Sequence, residues 1–501
     1  MIQFRRKIGG FIAVALIAML SACSPKTTDT PTYTNPILGG DYPDPTILRD
    51  GEDYYLTHSA FDYLPGLVVF HSRDLVNWEP ISYALSTYLG SVWAPDISKV
   101  GDKYYIYFAV HNVGNFMVEA DSPYGPWSEP VNVYKDHIDP ALGVGDDGTK
   151  WLFLSSGVRV RLTEDGRSSV GELEKVYEGW EYPSDWVTEG FYLEGPKINK
   201  VGDWWYMVSA EGGTAGPPTS HMVVVARSRS IDGPWENSPY NPLVHTYSYT
   251  DRWWSRGHGD IVDTPDGRWY IVYHSYENGY YNLGRQTLLE PVELTDDGWF
   301  KPVEGLDVAG EIPMPLEECF VDRKSRLSEF RIGLDWKFYK EFNPERVSAD
   351  KGVLTLKAQG HTPTDSSPIM FVSGDHAYEF EAEIEKSTEA IAGLVLYYNT
   401  DYYAGAGMDD KGIIRYQKGW PDHVVDLADR THFWMRLRND HHVVTAYYSL
   451  DGSEWTKLGW GQEISGLNHN VLDGFQGVLP GLFAAGEGEV RFSNFKYTKL
   501  D

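Results

Sequence analysis

One phrase recurs five times along this chain: a turn holding Gly and usually Asp, an aromatic pair or near-pair, then an apolar strand. It reads DGEDYYLTHS (50–59), VGDKYYIYFA (100–109), DDGTKWLFLS (146–155), VGDWWYMVSA (201–210) and PDGRWYIVYH (265–274). The spacing, roughly 45 to 65 residues, suits one four-stranded blade with variable loops. A second phrase follows three of the copies at matching phase and ends at Trp78, Trp127 and Trp235. Five such units predict an all-β fold whose first part is a five-bladed β-propeller over residues 34–315.

An acid in a turn-like setting precedes each copy: Asp44 in YPDPT, Asp96 in WAPDI, Asp139 in IDPAL, Glu194 in LEGPK and Asp260 in GHGDI. Successive blades place equivalent positions around one axis, so five acids at one phase would converge near the central channel. A ring of carboxylates in a partly buried funnel is costly unless it is paired, protonated or functional. Pro43-Asp44-Pro45 is the sharpest case, since two prolines predict a stiff, extended turn outside any ladder that aims one carboxylate.

Charge narrows the partners. With 72 acidic residues against 43 basic ones the formal net charge is −29, which argues against nucleic acid or an anionic membrane surface. The 18 Trp and 34 Tyr suit sugar binding as well as cores. Arg5, Arg6 and Lys7, a short apolar run and LSAC read as a secretory signal over residues 1–22, with Cys23 in a lipobox-like position as the lipidated first residue of the exported protein. Residues 23–33 make a polar tether, so the membrane would be met through a lipid anchor only, facing the periplasm or else the cell surface. Only Cys319 remains, which excludes an internal disulfide and a Cys-based metal site.

An ordered series of motifs, from NPILGGDYPDPT through HSRDLVNW, WAPDI, IDP, EGPK, AEGGT and GHGD to LGRQT, resembles the family 43 glycoside hydrolases. That resemblance implies a propeller that cleaves pentose units by inversion, with Asp44 as general base, Glu194 as general acid and Asp139 tuning and orienting the acid. Asp44, short and near solvent, would stay ionised; Glu194 would need burial or a like charge, which Asp139 could supply. It further implies Phe61, Trp93 and Arg285 as sugar-binding residues and His258 as a channel histidine that could carry a structural calcium. No cofactor is required for catalysis, and HExxH is absent. Two stretches depart from the family pattern: IDPALGVGDDG, thinned to glycine, and YEGWEYPSDWVTEGFYLEGP, rich in aromatic and acidic residues.

Over residues 316–501 the style changes to short strands of period-two alternation, such as YEFEAEIE and AGLVLYYN. They predict an antiparallel β-sandwich, and the closing RFSNFKY resembles the concanavalin-like second domain of exo-acting relatives, where it lends a loop that closes one end of the pocket. The expected function is release of non-reducing terminal α-L-arabinofuranose from arabinose- or xylose-containing oligosaccharides, with exo-β-1,4-xylosidase as the alternative. A non-catalytic sugar-binding lipoprotein is the distant third, and invertase-like enzymes are disfavoured because no RDP motif is present.

Overall fold

The computed structural model describes residues 31–500, so the expected signal over 1–22 and Cys23 lie outside the described residues. Five antiparallel sheets follow one another along the chain. Their innermost strands are Thr46–Asp50, Val92–Val100, Ala141–Val144, Glu194–Val201 and Trp253–Asp263. Each recurring phrase is the hairpin between the first and second strands of a blade: Asp50 pairs with Asp53, Val100 with Lys103, Val201 with Trp204 and Asp263 with Trp269. The glycine in every copy (Gly51, Gly101, Gly148, Gly202, Gly267) has φ between 60° and 84°, the left-handed region a tight turn needs.

The aromatic pair explains the repeat. Consecutive residues of a strand point to opposite sheet faces, so a doubled aromatic supplies one ring to each neighbouring blade interface. Tyr54 packs with Val262 and Tyr270 of the fifth blade, while Tyr55 packs with Ile97 and Tyr104 of the second. Tyr105 then faces Leu152 and Val160 of the third blade, and Trp205 and Tyr206 divide in the same way between the third and fifth.

The ring closes through the segment before the first blade. Thr32–Thr34 pairs with Glu311–Pro313, the Asn35 amide both donates to and accepts from the backbone of Leu289, and Leu38 bridges to Thr287.

The second unit is a sandwich of two large antiparallel sheets around one core containing Phe380, Ile384, Leu394, Met435, Leu437 and Phe492. Alternate residues of Ala377–Lys386 (Tyr378, Phe380, Ala382, Ile384) point inward, as the period-two pattern requires. The two units share a sheet: Tyr63–Leu64 of the propeller pairs with Lys337–Tyr339 and forms the edge of one sandwich sheet.

The five acids form two groups rather than one ring. Asp44, Asp139 and Glu194 line the pocket at the channel mouth, but Asp96 and Asp260 lie further along their strands, beyond bulges at Trp93/Asp96 and Gly257/Asp260. There Lys197, 2% exposed, donates from Nζ to Pro95 O at 2.6 Å and stands 3.6 Å from Asp96 Oδ1. Asp260 accepts from Ile47 N at 3.1 Å and Thr46 Oγ1 at 3.2 Å, stitching the first blade to the fifth. Removing one partner of such a buried set leaves uncompensated charge. Lys197→Met is therefore expected to lower unfolding stability by about 3–5 kcal/mol in chemical denaturation, and a variant as stable as the parent would show that this layer is not an ionic brace.

Candidate active site

Asp44 stands two residues before the innermost strand of the first blade, and Asp139 two before that of the third. Glu194 is the first residue of the fourth. Trp93 belongs to the second blade, His258 and Arg285 to the fifth, and Thr214 to the loop after the second strand of the fourth. All of these line one pocket, together with Ala94, Ile138 and Phe475. Phe61 lies just behind, its ring 5.5 Å from the Arg285 guanidinium. The larger cleft, about 680 Å³, lies elsewhere, between the two units; its Arg252–Glu277 and Lys324–Asp375 pairs neutralise each other.

The backbone around the pocket is strained. Asp44 (φ 55°), Phe61 (46°), Asp139 (59°) and His258 (53°) all occupy the left-handed region, at roughly 1–2 kcal/mol each for a non-glycine residue. Asp44 is thus not extended, although it precedes a proline. Its N–H donates to His274 Nδ1 at 3.1 Å, and this buried bond helps hold a conformation that the local sequence disfavours. Glu194 is followed by Gly195 (φ 57°), whose N–H donates to Asp139 Oδ2 at 3.0 Å; a Cβ there would meet the His258 ring at 2.7 Å. Asp139 thereby anchors the peptide that carries Glu194.

The three carboxyls differ in charge. Asp44 is not near solvent: its side chain is 7% exposed. Burial pushes its pKa up, but Arg285, with Nη1 2.9 Å from Oδ1, and then His258 and His274 outweigh that and hold the carboxyl well below the usual range. Ser59 Oγ and His274 Nδ1, the latter 3.0 Å away, complete its surroundings.

Glu194 is pushed up to about 8, first by burial and then by the charges of Asp44 and Glu189. Asp139 is likewise pushed well above the carboxylate range, by burial and then by Glu194 and Asp44. The like charge acting on Glu194 therefore comes from Asp44, because the Asp44 anion takes the Arg285 cation and leaves the other two acids favouring the neutral form.

Several pocket residues were not singled out in the sequence. Phe475 arrives from the sandwich, on a loop with Asp473 at φ 58° and Gly474 at 105°. Its ring meets Trp93 edge-on at 5.6 Å, sits 5.4 Å from the Arg285 guanidinium and stacks on His469 at 3.7 Å. No local signal marks it. His274, in the fifth copy of the recurring phrase, stands behind Asp44. It contacts Thr214 Oγ1 at 3.0 Å and His221 Nδ1 at 3.2 Å, and His221 Nε2 lies 3.4 Å from Glu194 Oε1. Burial leaves both histidines with pKa values near 3, so they act as neutral hydrogen-bonding groups.

A propeller that sets an ionised carboxylate and a neutral one in one pocket beside the aromatic rings of Trp93 and Phe475 has the make-up of a glycoside hydrolase. Residues 33–300 match glycosyl hydrolases family 43, and the chain is a member of that family. Residues 328–498 match the β-xylosidase C-terminal concanavalin A-like domain. The chain is 31% identical to the non-reducing end α-L-arabinofuranosidase BoGH43B of Bacteroides ovatus, covering 94% of this chain and 95% of that one. It is 30% identical to a xylan 1,3-β-xylosidase of a Vibrio species, over 93% and 99%. Among solved structures, the family-43 protein BlXynB from Bacillus licheniformis superposes with a TM-score of 0.83 at 27% identity, over 94% of this chain and all of that one.

Because Phe475 supplies a wall from the second unit, Phe475→Ala is expected to raise KM for a small terminal-sugar substrate about tenfold, near 1.4 kcal/mol. The melting temperature should stay close to the parent's. An unchanged KM would remove this residue from the sugar site.

Proposed function

We propose that the chain is an inverting exo-glycosidase that releases non-reducing terminal α-L-arabinofuranosyl residues from plant-polysaccharide oligosaccharides. The observation that carries this reading is the opposed protonation of Asp44 and Glu194 in one small pocket that Phe475 walls off at one end. Glu194 gives its proton to the leaving glycosidic oxygen as the bond from that oxygen to the anomeric carbon breaks. Water attacks the same carbon from the other face and passes its proton to Asp44. Asp139 holds the Gly195 peptide and so orients the acid. Arg285 keeps Asp44 ionised and offers donors to a sugar hydroxyl, while Trp93 supports the ring face and Phe61 backs the Arg285 guanidinium.

The arabinofuranosidase from Bacteroides ovatus favours arabinofuranose as the released sugar. The Vibrio xylosidase, of nearly equal identity, keeps β-D-xylose as the second reading. The LSAC sequence at Leu20–Cys23 supports export and lipid anchoring, and CSPKTTD, which lacks an immediate acidic run, supports the periplasmic face over the cell surface. The buried Nε2 of His258 has no hydrogen-bond partner, which is compatible with a water-borne structural calcium at that atom. Among the described residues no group of three or more His, Cys, Asp or Glu could hold a metal, so a cation there would be held through water rather than by side chains directly. The chemistry draws on no cofactor.

The test is hydrolysis of 4-nitrophenyl α-L-arabinofuranoside and β-D-xylopyranoside, with the anomer of the released sugar followed by NMR. Asp44→Ala and Glu194→Ala are each expected to lose about 10² to 10⁴ in kcat/KM on oligosaccharides. Survival of activity in both variants would overturn the assignment of the acids, and a retained anomer would overturn inversion.

The acid must carry its proton, so kcat/KM should fall as pH rises through about 8, the position to which Glu194 is pushed. Asp44, held low, should impose no loss until well into acid solution. A profile already falling between pH 5 and 6 would contradict this charge pattern.

A further inference from the structure

Residues 176–193, between the third and fourth blades, form the longest irregular stretch of the propeller, and a structureless segment of this length in a compact domain is usually functional. The stretch is nonetheless pinned in place. Trp180 N donates to Glu211 Oε1 at 2.6 Å and Glu189 N to Ser220 Oγ at 2.7 Å. Glu189 Oε2 accepts from Ala215 N at 2.9 Å, and Thr219 Oγ1 donates to Val187 O at 3.1 Å. These bonds fix a ladder of rings. Phe191 stacks on Tyr182 at 5.8 Å, Tyr182 on Trp186 at 6.4 Å, and Trp186 lies nearly parallel to His245 at 4.4 Å, with Tyr247 edge-on to it at 6.3 Å.

The outer members of the ladder are bare, Phe191 54% exposed and Tyr247 69%, and Tyr192, next to Phe191 and close over Gly190 and Gly213, is 51% exposed. Rings held rigid from beneath and open above lose little entropy on binding a flat partner.

Position decides what that partner is. The segment runs directly into Leu193 and Glu194, and its Glu189 and Tyr192 lie over Gly213, next to the pocket residue Thr214. A general acid stands on the leaving-group side of the scissile bond, whereas Trp93 and Phe475 line the pocket that takes the terminal sugar. The ladder therefore continues the pocket outward from the acid. Its charge narrows the ligand further, because residues 176–193 contain Glu178, Glu181, Asp185 and Glu189 but no Lys or Arg. Sugar rings bearing carboxylates would be repelled there.

We propose that the exposed rings of Phe191, Tyr192 and Tyr247 form a platform for the leaving-group chain, binding a neutral oligosaccharide of β-linked pyranose rings through their apolar faces. The inference deepens the hydrolase reading and rests on Glu194 being the acid.

Xylopentaose and cellopentaose serve as neutral probes and a glucuronic-acid-bearing xylopentaose as the charged one, with binding to Glu194→Gln followed by calorimetry. Phe191→Ala and Tyr247→Ala, each added to that variant, are expected to weaken binding of at least one neutral probe by about tenfold, about 1.4 kcal/mol, for the loss of stacking on one ring. The charged probe should bind more weakly than xylopentaose. In the otherwise native enzyme the same two substitutions should leave the melting temperature unchanged, which reports correct folding. Neutral probes that fail to bind, or that bind the ring variants as tightly as the parent, would overturn the platform while leaving hydrolysis intact. A parent without aryl-glycosidase activity that still binds the probes through these rings would instead overturn the hydrolase reading.

Discussion

The buried pair between Asp44 and Arg285 governs the chemistry of the channel mouth. The two side chains, 7% and 4% exposed, lie 241 residues apart in sequence and join the first blade to the fifth. A lone charge at this depth would cost several kcal/mol, so each residue is tolerable only because the other is present. The pairing assigns the local positive charge to Asp44, and Glu194 and Asp139, packed into the same pocket, then favour the neutral form. Placement of one guanidinium thus divides base from acid. The neighbouring Thr287 hydroxyl, donating to Tyr42 O at 2.6 Å, and the Asn35–Leu289 bonds hold the seam in register, so the geometry of the pair depends on closure of the ring.

The second unit completes the site. The shared sheet at Tyr63–Leu64 fixes the sandwich against the first blade, and Phe475 then closes a pocket the propeller leaves open. Further contacts hold the same interface, including Tyr280 stacked on His376 at 3.7 Å and His376 Nε2 2.9 Å from Glu277. Phe475 thus bounds the pocket from the sandwich, while the ring ladder after the third blade leads into Glu194 from the propeller.

Much of the fold was legible because its signals are local. A Gly-containing turn followed by two rings imposes a hairpin with one aromatic on each sheet face, and five copies impose five blades. The acids Asp44, Asp139 and Glu194 were legible for a related reason, since Pro and Gly neighbours mark points where the ladder begins. Asp96 and Asp260 carried the same signature and went elsewhere, because bulges just before them in the second and fifth blades displace their phase. The extended conformation expected of Asp44 failed because a buried bond to His274 overrode a local preference. Its ionisation was expected from exposure and arises instead from a cation and two histidines brought in by the fifth blade.

The sequence by itself therefore determined the blade count, the sandwich and the identity of the residues that meet at the channel mouth. These follow from alternation, turn chemistry and the types of side chain available. Only the tertiary structure decided which carboxyl is charged, which acids remain outside the pocket and which residue of the distant sandwich closes it. Each of those depends on distances across the ring between residues hundreds of positions apart. Burial and Coulomb interactions act through space, and the chain order carries no record of that separation until the propeller has closed.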